Sequence, residues 1–99
     1  SFRGKKMEDE AMKSMREHIW KYKIEKSDEE TDVSGACDIV IKQNDKIVAG
    51  IQVKPDSFYH KNLSYVKELQ DKLDYPVHDL IYDKEGNWTN YLSVISNFL

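Results

Sequence analysis

Three residues near the middle of the chain carry side chains suited to phosphate-ester hydrolysis: Asp38, Gln52 and Lys54. A carboxylate and an amide oxygen are hard donors of the kind Mg²⁺ takes, and Mg²⁺ keeps much of its own water shell. An ammonium group beside them can orient or help deprotonate the attacking water and offset the charge that builds on phosphorus. The chemistry these types imply is metal-assisted hydrolysis of a phosphodiester. A second carboxylate would complete such a site.

The elements around these residues decide whether they meet. Asp38-Ile39-Val40-Ile41-Lys42 is β-branched and apolar, Asn44-Asp45-Lys46 is a turn signal, and Ile47 to Lys54 again reads as a strand. An antiparallel hairpin follows, which Pro55 ends. Along its second strand, alternation sets Val48, Gly50, Gln52 and Lys54 on one face and Ile47, Ala49, Ile51 and Val53 on the other. A three-residue loop at Asn44-Asp45-Lys46 places Asp38 directly across from Gln52 and diagonally from Lys54. A partly apolar strand has little structural reason to gather an acid, an amide and an amine. Each buried polar group must find a partner or lose about 1–3 kcal/mol.

The rest of the chain frames the hairpin. Met7, Ala11, Met15 and Ile19 recur every fourth residue, with Met12 beside them, and predict an amphipathic helix from Gly4 to about Tyr22. Trp20, Tyr22 and Ile24 alternate with Lys21, Lys23 and Glu25, so this piece fits either the helix end or the start of a strand. Residues Glu25 to Gly35 read as a polar, mobile connection with a short strand around Thr31 to Val33. Leu63, Val66, Leu69 and Leu73 predict a second helix over Lys61 to Leu73, with Pro76 just past its end. Val77 to Tyr82 is a short strand, and Leu92, Ile95 and Leu99 place a last helix within Trp88 to Leu99. Strand, helix and strand within about 30 residues make a crossover unit. Val77–Tyr82 should therefore run parallel to Ile47–Lys54, which makes the sheet mixed.

Asp38, a hairpin, and Gln52-x-Lys54 together resemble the active-site signature of the PD-(D/E)XK nuclease superfamily, in the variant with Gln at the acidic position. Gly4-Lys5-Lys6-Met7-Glu8 is similar to that superfamily's first-helix motif, a Gly followed four residues on by a metal-associated Glu. The resemblance covers most of the chain and is strongest to type II restriction endonucleases, with Holliday-junction resolvases and Mrr-like enzymes close behind. It implies an α/β fold of the restriction-endonuclease-like kind, a mixed β-sheet in α-β-β-α-β order flanked by helices. It also implies that Asp38 ligates metal, Gln52 holds the second ligand position, Lys54 serves the attacking water, and Glu8 supports the metal or its water. Mg²⁺ is the implied cofactor, with Mn²⁺ as a substitute, and DNA the implied substrate. Two departures stand out. Cys37 occupies a place where many members have Pro, and Gln52 leaves the site one negative charge poorer, which puts more weight on Glu8.

Each of these residues also has a plain structural reading. Gln52 and Lys54 suit a solvated strand end, Asp38 a turn cap, and Glu8 a helix start, where acids are favoured and Asp9 and Glu10 sit alongside. Arg3, Lys5, Lys6 and Lys13 suit a solvated helix face as well as a phosphate contact, and the same holds for Lys21, Lys23 and Lys26. Tyr59 and His60 suit a DNA cleft or a helix start equally. Cys37 reads as a small buried filler, and Trp20 and Trp88 as core. His18 and His78 lack zinc-ligand spacing.

At the scale of the chain, 99 residues with 39% hydrophobic and 33% charged composition, four Gly and two Pro suit one folded domain spanning 1–99. A net charge of −3 argues against a surface that wraps nucleic acid on every side. The single cysteine and the lack of a long apolar run lead to the expectation of a cytoplasmic protein with no membrane span. The opening Ser1-Phe2-Arg3-Gly4 without Met suggests a piece of something longer. A homodimer is expected, because one site cannot reach two antiparallel strands at once. A junction resolvase, a repair nuclease and a non-catalytic binding domain of the same fold are the alternatives.

Overall fold

The computed structural model describes residues 2–28, 36–58 and 63–99. Helix α1 spans Phe2–His18 and buries Met7, Ala11, Met12 and Met15, the stripe that the sequence spacing marks. It ends one turn earlier than about Tyr22. The Arg16 guanidinium donates to the Ile24 carbonyl at 2.7 and 3.2 Å, and the chain reverses there into strand β1, Lys23–Lys26. The alternation from Trp20 to Ile24 therefore leads into a strand. Ile24 is buried, whereas Trp20 lies in the reversal at 72% exposure, with the Lys21 ammonium 5.7 Å from its ring centre. Trp20 is not a core residue, because it falls outside both the helical stripe and the strand.

Strands β2 (Ile39–Gln43) and β3 (Lys46–Pro55) form the expected hairpin through a different turn. Asn44 and Asp45 adopt φ of 54° and 63°, a two-residue left-handed turn in place of a three-residue loop. Gln43 pairs with Lys46 and Lys42 with Ile47, then the register shifts, and Ile41 pairs with Ala49 and Ile39 with Ile51. Val48 is the extra residue of a β-bulge. One residue fewer in the turn and one more in the strand offset each other. The register beyond the bulge is the one that a three-residue loop predicts.

Helix α2 (Leu63–Asp71) carries the chain to β4 (Val77–Tyr82), which lies parallel to β3 with Gln52 opposite Asp79 and Lys54 opposite Ile81. The sheet is mixed and four-stranded, in the order β1-β2-β3-β4. The final segment is a short helix α3, Tyr91–Ile95, followed by a 3-10 turn, Ser96–Phe98. No single helix starts at Trp88, because that residue forms a bridge with Tyr82. The Asn90 side chain accepts from the Ile81 amide at 3.0 Å and donates to the Asp79 carbonyl at 2.7 Å, which covers the outer edge of β4.

The sheet has two unlike faces. Ile39, Ile41, Ala49, Ile51, Val53, Leu80 and Tyr82 pack against α1 and α3 in one apolar core. The other face carries Gly50, Gln52, Lys54 and Asp79 and turns toward α2. A Cβ at Gly50 would stand 2.9 Å from the Cys37 sulfur and 3.2 Å from the Tyr75 ring, so no larger residue fits there without movement. None of the described helices is long and apolar enough to cross a membrane.

Candidate active site

Asp38 stands just before β2, where the ladder runs out of backbone partners. Its amide donates to the Ile51 carbonyl at 2.9 Å, and its Oδ2 accepts from the Val53 amide at 2.9 Å. The carboxylate takes the place of a missing ladder carbonyl and so lies against the Gln52–Val53 peptide. From the other side, Ser27 donates its amide to the Asp38 carbonyl and its hydroxyl to the Cys37 carbonyl. Two strands fix its backbone, and the side chain is aimed by β3. Cys37 itself is buried, as a small filler would be.

Gln52 is the centre of the arrangement. Asp38 flanks it on the β2 side, and Asp79 is its direct partner on β4. Lys54 lies on the same face as Gln52, away from Ile51, and its ammonium meets Asp79 Oδ2 at 3.3 Å. That ammonium group is well covered, with the Lys54 side chain 12% exposed and that of Asp79 29%. Two acceptor oxygens here, Gln52 Oε1 and Asp79 Oδ1, are buried and have no hydrogen-bond partner among the described residues. An unpaired buried acceptor costs about 1–3 kcal/mol, a cost removed by a cation beside both oxygens or by the Gln52 amide turned so that Nε2 donates to Asp79. A cavity of about 240 Å³ opens beside Asp79, lined also by Lys54 and, from α2, by Val66, Lys67 and Gln70.

Glu8 is engaged elsewhere. Its carboxylate is 3.7 Å from the Lys26 ammonium, which also meets Asp9 at 3.1 Å. Asp9 first and Glu8 second hold the Lys26 pKa above its ordinary value. Lys26 belongs to β1, two strands away from Gln52, and α1 packs on the opposite face of the sheet from Lys54 and Asp79.

Asp79 is the site residue that sequence reading misses. The signal is present: an aspartate in the middle of Val77–Tyr82 goes against strand preference, and a parallel register sets it beside Gln52. The other candidates have structural occupations. Arg3 donates to the carbonyls of Asp83 and Lys84 and stacks on Tyr82. His18 hydrogen-bonds the Tyr91 hydroxyl at 2.9 Å, and His78 packs edge-on to Phe98. Trp88 packs against the core, edge-on to Tyr82. Tyr59, His60 and the strand expected around Thr31 to Val33 lie outside the described residues.

The donors gathered around Gln52 are carboxylate and amide oxygens, which suit Mg²⁺ or Mn²⁺ rather than zinc. Among the described residues no group of three or more His, Cys, Asp and Glu side chains is placed to hold a metal. Mg²⁺ does not require one, since it binds through one or two carboxylates and retains several waters.

Compared with known proteins, the chain matches no family model, no curated protein and no solved structure. The functional reading therefore rests on the chemistry of this site.

Proposed function

We propose that this chain is a Mg²⁺-dependent endonuclease that hydrolyses DNA phosphodiester bonds, a type II restriction endonuclease or its catalytic core, built on the restriction-endonuclease-like fold. The observation that supports this most is the placement of Asp38, Gln52 and Lys54 around one end of β3. The Asp38 carboxylate lies against the Gln52–Val53 peptide, and Lys54 shares Gln52's face of the sheet. A metal-ion hydrolase of this type needs a carboxylate, a second oxygen donor and a cation held within reach of one phosphate.

Bound Mg²⁺ would act as a Lewis acid on the phosphate and lower the pKa of a water molecule. Asp38 and Gln52 would hold the ion, with Mn²⁺ as a substitute metal. Lys54 would donate to the attacking water or to a non-bridging phosphate oxygen, opposing the negative charge that develops there. As the water oxygen bonds to phosphorus, one P–O ester bond breaks. The leaving oxygen takes up a proton, and the water loses one. Asp79 keeps the Lys54 ammonium in place through this step. The setting that fits is the cytoplasm, with the chain acting as a homodimer on DNA.

Cleavage of plasmid DNA with and without Mg²⁺ tests this reading. The wild-type protein should cut only with the metal, and Lys54→Ala should lower the rate by a factor of about 100 or more. Cutting by Lys54→Ala at the wild-type rate, or no cutting by a folded wild-type protein on varied DNA, would favour a binding domain of the same fold.

A further inference from the structure

We infer that the second carboxylate of the cation site is Asp79, acting through Oδ1 beside Gln52 Oε1, and not Glu8. The inference rests on the nuclease reading above and specifies its ligand set. Three observations lead to it. Gln52 and Asp79 are direct partners in the parallel β3–β4 ladder, so their side chains leave the sheet side by side. Gln52 Oε1 and Asp79 Oδ1 are both buried acceptors without a partner among the described residues, and with the amide oxygen on this side a cation satisfies both at once. The other oxygen of Asp79 is already placed by the Lys54 ammonium at 3.3 Å, which fixes the carboxylate and leaves Oδ1 for a different cation.

Charge balance points the same way. Glutamine in the acidic position leaves the site one negative charge short, and Asp79 supplies that charge from the neighbouring strand. Glu8, by contrast, belongs to α1, which packs on the opposite face of the sheet. With Asp38 at the start of β2, Gln52 on β3 and Asp79 on β4, an amide stands between two carboxylates contributed from its two sides. Two carboxylates, one amide oxygen and retained water make a donor set suited to a hexacoordinate Mg²⁺ or Mn²⁺ ion. The carboxylate that orients Lys54 would then also bind the metal, which couples the placement of the two cations.

Calorimetric titration with Mn²⁺ alone, without DNA, tests the assignment. Asp79→Asn should weaken Mn²⁺ binding by about tenfold or more, and Glu8→Gln by less than about twofold. Adding Gln52→Glu to Asp79→Asn moves the carboxylate one strand across and should bring the affinity back to within about threefold of wild type. A purely structural Asp79 would leave the Mn²⁺ affinity of folded Asp79→Asn at the wild-type value. If Asp79→Asn does not fold, Asp79→Cys decides, since a thiolate among the ligands should shift the preference from Mn²⁺ toward Cd²⁺, and a residue that does not touch the ion should leave that preference unchanged. Weakening by Asp38→Asn and Glu8→Gln but not by Asp79→Asn would overturn the Asp79 assignment and leave the nuclease reading standing. A folded wild-type protein that binds no Mn²⁺ would overturn both.

Discussion

Asp38 does two things that a single substitution can separate. Its Oδ2 accepts the Val53 amide, a structural bond, while its charge is the part that metal chemistry needs. Asn keeps an acceptor oxygen for that amide, so Asp38→Asn should cost less than about 1 kcal/mol of stability. It should nonetheless weaken divalent-ion binding far more than Asp45→Asn, whose residue sits in the hairpin turn. Equal effects in calorimetry would mean that Asp38 is only a ladder cap. His78 gives a second test at this scale. Burial holds its pKa below the ordinary 6.5, with the Asp79 charge opposing it. The depressed value means that the unfolded chain takes up the proton first as pH falls. The contribution is thus complete above about pH 6.5 and is lost as pH drops through the folded value. The melting temperature should fall between about pH 7.5 and pH 5, and part of that fall should vanish in His78→Gln. Identical falls in the two proteins would assign the acid sensitivity to other groups.

At the scale of elements, the hairpin decides whether the site exists, and its central position is the one without a side chain. A methyl group at Gly50 would press on the Cys37 sulfur at 2.9 Å and the Tyr75 ring at 3.2 Å. Gly50→Ala should therefore destabilise by about 1–3 kcal/mol in urea titrations, and Cys37→Ala in the same chain should recover part of it. Strict additivity of the two changes would show that the sulfur is not what opposes the methyl. The same hairpin shows what a sequence can reveal. Asp38, Gln52 and Lys54 were legible as a group because β-branched runs and alternation fix strand faces independently of turn detail. The turn itself was misread, since Asn44-Asp45 without a following glycine gives little sign of a left-handed two-residue turn, and a bulge at Val48 leaves no compositional mark. The two errors offset each other, and Asp38 still lies level with Gln52. Strand β1 was half legible: alternation from Trp20 to Ile24 was visible, but a four-residue strand at a helix exit cannot be told from a fraying turn by periodicity alone. Asp79 was missed for a different reason. Its importance arises only when the β3–β4 register pairs it with Gln52, a contact between distant parts of the chain that no local pattern encodes.

For the proposed nuclease, the whole molecule bears on how many strands of DNA could be cut. The described chain has a radius of gyration of 12.7 Å and one Asp38–Gln52–Lys54 constellation, on the side of the sheet that faces α2. A duplex has two scissile phosphates on antiparallel strands, and a single site of this kind attacks one at a time. A two-fold dimer presents two copies in the matching antiparallel sense, which is the simplest route to a double-strand break. Apolar side chains are available for such an association: Trp20, Leu92 and Leu99 are exposed at 72%, 76% and 84%. Burying side chains of this size on association is favourable, at about 25 cal/mol per Å² before association costs. Light scattering of the protein on duplex DNA should therefore give the mass of two chains per duplex. Supercoiled plasmid should pass to the linear form without a lasting nicked population, because both strands are cut within one bound complex. The time course separates the cases: two independent monomers would build up nicked circles first and linearise them slowly, with a rate that depends on enzyme concentration. A monomer in light scattering, together with nicking and no linearisation, would instead describe an enzyme that cuts one strand.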